Sequence, residues 1–117
     1  MKFLFVFHDP PYGSERTYNG LRWARQMLTN GNDNEVRVFL FGDAVVSVQA
    51  DQKTPNGFYT VGRMVQELGE NGALVGSCGT CLDARGIKDD NLVKGGHRSS
   101  MTELSGWTEW ADQTINV

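Results

Sequence analysis

Two cysteines spaced three positions apart are the residues of this chain best suited to chemistry. They lie in the segment Cys78-Gly79-Thr80-Cys81 and are the only cysteines among the 117 residues. Residues 73–75 before them are apolar and predict a buried strand, whereas the residues after them favour a helical turn. A thiol at such a junction lies near the unpaired N–H groups and the positive dipole end of the helix, which favours the thiolate. The sequence therefore predicts that Cys78 is a reactive sulfur centre; the alternative is two small apolar side chains packed at a strand end.

The same spacing leaves other chemistry open for this pair of thiols. Residues three apart on a helical turn share a face, with Cα atoms near the ~5–6 Å that a disulfide favours, so Cys78 and Cys81 could form a reversible bridge. A thioredoxin-like protein fits poorly, because its motif would follow the first strand and a cis-proline would come later, whereas no proline follows Pro55. A zinc site would need two further ligands, for which His8 and His97 are the candidates, and we expect no metal.

Charged residues close to the cysteines are candidates for supporting roles. Asp83 and Arg85 follow the cysteine pair on the predicted short helix. They could pair with each other or orient the cysteine loop, and Arg85 could add positive charge beside the sulfur.

His8, in the loop after the first predicted strand, is a candidate base or hydrogen-bond partner, and a solvated loop histidine is the alternative.

Composition and charge argue against several classes of function. The formal net charge is −3 and no Lys/Arg cluster occurs, so we expect no nucleic-acid surface. No apolar run approaches the ~20 residues that cross a bilayer, so we expect no membrane span. The chain has neither a GxGxxG motif nor a P-loop, so we expect no nucleotide cofactor. The first apolar run ends at residues 8–11 without a signal-peptide cleavage site, and two cysteines do not make a secreted disulfide scaffold. We therefore expect a cytoplasmic protein.

Alternating strand and helix patterns predict the fold. Apolar runs predict strands over residues 2–7, 35–41, 73–77 and the end of the chain, 112–117, with a brief edge strand at 92–93. Helical spacing predicts one helix from an N-cap at Ser14 to about residue 29 and a short helix over residues 43–48. After an exposed loop at residues 50–57, it predicts a helix over residues 58–70 and a last helix that begins at a cap at Ser99 or Ser100. Glu103 is placed for a capping box on Ser100, and the buried stripe of this last helix is predicted to comprise Met101, Leu104, Trp107 and Ala111.

This order of elements predicts one α/β domain over residues 1–117, a layered sandwich with a mainly parallel sheet and helices on both faces. Ligand chemistry in such sheets collects beyond the carboxyl ends of the strands. Three predicted loops meet that edge, at residues 8–13, 42–45 and 77–81. The cysteine pair therefore lies where this architecture would place a site.

Four segments resemble the DsrE/DsrF-like family, and most closely its YchN-like subgroup. They are residues 11–15 (Pro-Tyr-Gly-Ser-Glu), 39–45 (Phe-Leu-Phe-Gly-Asp-Ala-Val), 78–87 (Cys-Gly-Thr-Cys-Leu-Asp-Ala-Arg-Gly-Ile) and 103–108 (Glu-Leu-Ser-Gly-Trp-Thr). The resemblance runs from the first predicted strand to the last. It implies a DsrE-like α/β sandwich assembled into homohexamers.

The resemblance also implies a role for the cysteines. Some relatives belong to sulfur-relay or sulfur-oxidation complexes, carry a persulfide on one cysteine and pass it to a partner protein, and Cys78 matches that cysteine. Cys81 is shared with the YchN-like group and is a candidate resolving thiol. Tyr12 and Gly13 lie in the matching first loop and, with the two charged residues of the cysteine segment, are predicted supporting residues. An oligomeric binding module with inert cysteines and a CxxC dithiol redox protein remain the alternatives.

Overall fold

The fold is built on a parallel β-sheet, seen in a computed structural model that describes residues 1–31, 33–56 and 58–117. Asn32 and Gly57, the latter in the predicted loop at 50–57, lie outside the described residues. In the described part of the chain, the strands are β1 (Lys2–Phe7), β2 (Glu35–Leu40), β3 (Leu74–Cys78), β4 (Gly96–Ser99) and β5 (Gln113–Asn116). They form one sheet in the order β4-β3-β2-β1-β5, and every neighbouring pair is parallel. The predicted parallel α/β architecture is confirmed.

Helices cover both faces of this sheet. The α-helices are α1 (Arg16–Thr29), α2 (Val61–Glu70), α3 (Gly79–Ala84) and α4 (Met101–Trp110), and 3-10 helices span Gly42–Val48 and Asp89–Asn91. Trp23 of α1 packs edge-on against Phe5, whose ring centroid is 5.4 Å away. Trp107 of α4 packs edge-on against Phe39 at 6.3 Å. Phe5 is in register with Val38, and Phe39 is the next residue of the same strand. Because successive side chains of a strand point to opposite faces, Phe5 and Phe39 point to opposite faces of the sheet. Helices α1 and α4 therefore lie on opposite sides of the sheet.

The central strand β1 is buried from Phe3 to Phe7 because its sequence is apolar there. Phe5, Phe7 and Phe39 have no exposed surface and are among the largest buried side chains. Gly20 of α1 allows the helix to approach β1, since a Cβ atom there would lie 2.5 Å from the ring of Phe7. In the described part of the chain, no helix is long and apolar enough to cross a bilayer.

Several element boundaries differ from the sequence prediction. Helix α1 begins at Arg16, one position later than a cap at Ser14 implies, and the Arg16 N–H group donates to the Ser14 hydroxyl at 3.3 Å. Helix α2 begins at Val61 rather than residue 58, because the Tyr12 hydroxyl, distant in sequence, accepts a hydrogen bond from the Val61 N–H group at 3.1 Å. Both helices therefore start where a side chain supplies an acceptor.

The prediction for residues 92–101 is wrong in two respects. Leu92 makes only an isolated antiparallel bridge to Gln49, and the edge strand is β4, four positions further on. Met101, predicted in the buried stripe of α4, is 65% exposed. The cap of α4 is confirmed, since the Glu103 N–H group donates to the Ser100 hydroxyl at 3.2 Å.

Candidate functional site

Cys78 lies at the junction of a strand and a helix. It is the last residue of β3 and the N-cap residue of α3. The three loops predicted at the carboxyl edge of the sheet do follow β1, β2 and β3, and the rings of His8 and Phe41 stack there with centroids 5.7 Å apart. Cys78 is 8% exposed and faces a cavity of about 310 Å³. That cavity is lined by Cys78, Gly79, Thr80, Asp83, Arg98, Ser99, Ser100 and Met101.

The surroundings of Cys78 favour its thiolate. Burial raises the pKa of the Cys78 thiol, but hydrogen bonds from the Cys81 thiol, the Thr80 hydroxyl and the backbone N–H groups of these two residues outweigh burial and leave the pKa below its ordinary value of 9.0. The Thr80 hydroxyl oxygen lies 3.3 Å from the Cys78 sulfur. A thiol with a lowered pKa that faces a cavity is a candidate nucleophile.

Cys81 has the opposite character. Burial, the hydrogen bond to Cys78 and the negative charge of Cys78 raise the pKa of the Cys81 thiol, against the lowering effects of the Gly42 N–H group and of Arg85. Both thiols are free and Cys81 is half-buried. The pair is therefore asymmetric, because the pKa of the Cys78 thiol is lowered and the pKa of the Cys81 thiol is raised.

Asp83 and Arg85 do not pair with each other. The Arg85 guanidinium donates to Asp43, with an Nη2–Oδ1 distance of 2.7 Å, and to the carbonyl oxygen of Cys81 at 3.0 Å. Arg85 therefore ties the cysteine helix to the loop after β2. Asp83 instead accepts from Arg98 at 3.0 Å.

Arg98 is the residue beside the cysteine that the sequence reasoning missed. Its guanidinium lines the cavity of Cys78 and donates to the carbonyl oxygen of Gly79 at 3.0 Å, to Asp83 and to Asp89. The sequence predicts an edge strand at residues 92–93 and not at Gly96–Ser99, so the pairing of β4 with β3 is not foreseen. That parallel pairing, with Arg98 in register with Ser77, places the guanidinium at the site.

A small polar cluster of Ser99, His97 and Glu103 adjoins the cavity, which Ser99 lines. Glu103 accepts from the Ser99 hydroxyl at 2.6 Å and from His97 at 2.5 Å. Burial raises the pKa of Glu103, but the bonds from Ser99 and His97, together with the charges of His97 and Arg37, leave it below its ordinary value. Glu103 therefore stays ionised and holds Ser99 and His97 in place.

Tyr12 and Gly13 lie in a different cavity from the cysteines. Besides capping α2, Tyr12 donates its hydroxyl to the Tyr59 carbonyl oxygen at 3.4 Å. The second cavity, of about 460 Å³, is lined by Tyr12, Gly13, Gln52, Lys53, Thr54, Pro55, Phe58 and Tyr59. Tyr12 thus has a structural contact that explains its position in the first loop.

The two histidines are engaged elsewhere. His8 contacts Asn116, with an Nε2–Oδ1 distance of 3.3 Å, and His97 contacts Glu103. Across residues 1–31, 33–56 and 58–117, no three His, Cys, Asp or Glu side chains are grouped closely enough to hold a metal ion.

Fold and site together define a class of small α/β proteins that present a cysteine at the carboxyl end of a parallel strand. The chain belongs to the DsrE/DsrF-like family, whose model matches residues 1–117. The family resemblance inferred from the four segments is thereby confirmed.

Individual relatives match over nearly the whole chain. Protein YchN of Escherichia coli K12 is 34% identical over 97% of both chains, and the crystal structure of the E. coli protein superimposes with a TM-score of 0.92 over 99% of this chain and 98% of that one. The uncharacterized protein MJ0989 of Methanocaldococcus jannaschii is 32% identical over 98% of both chains. A more distant match, the sulfurtransferase TusD of Cronobacter sakazakii, is 25% identical and covers 80% of this chain and 73% of that protein.

Proposed function

We propose that this protein handles sulfane sulfur and that Cys78 accepts the sulfur as a persulfide. The observation that carries the proposal is the place of Cys78 at the carboxyl end of β3, where it lines a cavity and its sulfur lies 3.3 Å from the Thr80 hydroxyl oxygen. The pKa of its thiol is lowered from the ordinary value. A persulfide forms by thiolate attack, so it requires a lowered pKa and access. The name of the distant relative TusD, a sulfurtransferase, supports the same class of chemistry.

Loading of Cys78 is a thiolate displacement. The Cys78 thiolate attacks the outer sulfur of a donor persulfide, a new S–S bond forms, and the donor leaves as its own thiolate. An acceptor thiolate then attacks the outer sulfur of the Cys78 persulfide, takes it, and regenerates the Cys78 thiolate. Neither exchange changes the total oxidation state of the sulfurs, so no further oxidant or reductant is consumed.

Cys81 could also react with the persulfide on Cys78. Its thiolate, formed by loss of a proton to solvent, attacks the inner sulfur of the Cys78 persulfide, so that a Cys78–Cys81 disulfide forms and hydrosulfide leaves. The raised pKa of the Cys81 thiol keeps this step slow at neutral pH and faster in base. The disulfide would need an external dithiol for reduction.

The proposed function also includes partner proteins, an oligomeric state and a cellular compartment. A donor protein and an acceptor protein would exchange sulfur with Cys78, and copies of this chain would assemble into a homohexamer, as the family resemblance implies. The proposed compartment is the cytoplasm, where unbridged paired thiols are usual.

Mass spectrometry after treatment with a low-molecular-weight persulfide tests the function. We expect the chain to gain one sulfur atom on Cys78. The gain should be lost in Cys78→Ser and kept in Cys81→Ser, which is the matched control because it removes the neighbouring thiol. Equal labelling of the two variants would refute the assignment.

The dithiol alternative rests on two free thiols three positions apart in one motif. It requires a Cys78–Cys81 disulfide that forms and is reduced reversibly without sulfane sulfur, which titration with a thiol redox buffer would detect. Alkylation of both native thiols as slow as that of buried cysteines would instead favour a binding module with inert cysteines.

A further inference from the structure

Ser99 lies beside Cys78 on the same face of the sheet. The two residues are Cα partners in the parallel pairing of β3 and β4, and both line the cavity of about 310 Å³. A Cβ atom built on Gly76, two positions before Cys78, would lie 3.0 Å from the Ser99 Cβ atom, 3.1 Å from its hydroxyl oxygen and 3.1 Å from the Trp107 ring of α4. Because side chains two positions apart in a strand share a face, Ser99 and Cys78 both point toward α4.

The hydroxyl of Ser99 has its single proton committed to Glu103. It donates to Glu103 Oε1 at 2.6 Å, and His97 contacts the same oxygen through Nε2. Burial raises the pKa of Glu103, but the bonds from Ser99 and His97 and the charges of His97 and Arg37 outweigh burial, so Glu103 is a carboxylate that can only accept. A hydroxyl has one proton and two lone pairs, so the Ser99 oxygen can only accept hydrogen bonds from a group in the cavity.

A persulfide on Cys78 would have different neighbours at its two sulfur atoms. The Thr80 hydroxyl oxygen lies 3.3 Å from Cys78 Sγ, which becomes the inner sulfur. The inner sulfur carries no proton, so within this pair only the Thr80 hydroxyl can donate. The outer sulfur, one S–S bond of ~2.05 Å further out, extends into the cavity in which Ser99 offers an acceptor.

Protonation of the outer sulfur decides whether it can be transferred. An anionic outer sulfur repels an attacking thiolate, whereas a neutral one can be attacked. The acceptor thiolate then forms a new S–S bond to the outer sulfur, and the old S–S bond breaks. The electron pair of that bond leaves with the Cys78 sulfur, and the proton stays on the transferred sulfur.

We propose that Ser99 accepts a hydrogen bond from the protonated outer sulfur of the Cys78 persulfide and so keeps that sulfur open to attack. Ser99 is then a catalytic residue of the transfer step. Glu103 is a positioning residue, because it fixes the direction of the Ser99 hydroxyl. The inference rests on the proposed function, since it concerns the release of sulfur from the same cysteine.

The charged groups around the cavity do not oppose this effect. Asp83 of α3 and Arg98 of β4 line the cavity and pair at 3.0 Å, and Arg98 also pairs with Asp89 at 2.7 Å. Two carboxylates therefore balance the one cation that lines the cavity in the described part of the chain. Cys81, the other titratable group of α3, is removed in the test.

The test is a pH titration of the near-ultraviolet absorbance of the persulfide anion, in a Cys81→Ser background that leaves Cys78 as the single thiol. The persulfide is installed chemically: Cys78 is converted to a mixed disulfide with pyridinethiol, and hydrosulfide displaces the pyridinethiolate. We expect Ser99→Ala to move the midpoint to lower pH by about one unit, the size of one lost hydrogen bond to the neutral form. Transfer of the outer sulfur to mercaptoethanol at neutral pH should slow by up to about tenfold, because less of that sulfur is protonated.

A second variant and two controls accompany Ser99→Ala. Glu103→Gln keeps an acceptor for the Ser99 hydroxyl but removes the negative charge, so its midpoint should also fall, by less. Ser105→Ala removes an exposed hydroxyl of α4, and Glu109→Gln removes a carboxylate of the same helix. Both controls should keep the parent midpoint.

The proposal is overturned if Ser99→Ala keeps the parent midpoint or raises it, since a raised midpoint would mean that Ser99 donates to a persulfide anion. It is also overturned if Glu103→Gln has a midpoint at or above that of the parent. Urea midpoints of all variants separate reactivity from folding. If one of the two variants fails to fold, the other decides by its own criterion.

Sulfur loading from a low-molecular-weight persulfide keeps the two proposals apart. A parent that takes no sulfur from this donor, with an installed persulfide whose midpoint falls in Ser99→Ala, would refute the proposed function and leave the role of Ser99 standing. A parent that loads normally, with an unshifted Ser99→Ala midpoint, would refute the role of Ser99 alone. A Cys78 that accepts neither the donor sulfur nor pyridinethiol would refute both.

Discussion

The two thiols of one short motif differ because different groups face them. The Cys78 sulfur lies 3.3 Å from the Thr80 hydroxyl oxygen, and polar groups of Thr80 and Cys81 keep the pKa of its thiol below the ordinary value. Cys81 is itself the donor to Cys78 and is exposed to its negative charge, so its own pKa is raised. The difference follows from position, since Cys78 is the N-cap residue of α3 whereas Cys81 lies within that helix.

This asymmetry predicts reciprocal shifts in the alkylation profiles of the two cysteines. Cys81→Ala removes a donor to Cys78, so the midpoint of Cys78 alkylation should move to higher pH. Cys78→Ala removes the acceptor and the charge that raise the pKa of Cys81, so the midpoint of Cys81 should move to lower pH. Rates of iodoacetamide modification measured by mass between pH 5 and 10 check both.

Thr80→Val is the companion variant for this prediction. It removes the hydroxyl that lies 3.3 Å from the Cys78 sulfur and should shift Cys78 in the same direction as Cys81→Ala. Profiles that stay unmoved in both single-cysteine variants would mean that the two thiols do not interact.

At the scale of elements, helices start where a side chain accepts a hydrogen bond from the helix backbone, and that side chain is either adjacent or distant in sequence. Ser100 caps α4 from the adjacent position, so the start of that helix is local in origin. Tyr12 supplies its hydroxyl to the first N–H group of α2 from 49 positions away in the chain. The second kind of cap links the loop after β1 to a helix start.

Tyr12→Phe tests the long-range cap. The variant keeps the ring and leaves the N–H group of the buried residue Val61 without this acceptor, so we expect a loss of about 1–2 kcal/mol in the free energy of unfolding. Urea denaturation measures the change. Tyr18→Phe, which removes a hydroxyl from the ring stacked on Tyr59 at 4.0 Å, is the matched control and should change stability less. Equal stability of Tyr12→Phe and the parent would show that the contact contributes nothing.

At the scale of the whole molecule, the surface keeps several large apolar side chains. Trp23 is 49% exposed, Phe58 63%, Leu74 48% and Met101 65%. Apolar side chains at the surface are available for burial between subunits, although scattered ones are common in monomers. The assembly proposed from the family resemblance therefore has apolar surface to use.

We predict a homohexamer in solution. Light scattering coupled to size-exclusion chromatography at micromolar concentration should give six times the chain mass of 13.0 kDa. Dilution should not change the mass if the interface is extensive. A mass equal to one chain across the concentration range would contradict the prediction.

The amino-acid sequence by itself determined the strands β1, β2, β3 and β5, the parallel α/β architecture and the position of Cys78 where a strand meets a helix. These features follow from apolar runs, caps and turns, which are local along the chain. The tertiary structure alone decided that β4 pairs beside β3, that Tyr12 starts α2, and that Arg98, rather than Arg85, lines the cavity of Cys78. The physical reason is that strand pairing and the direction of a long side chain depend on residues far away in sequence, and no local pattern encodes them.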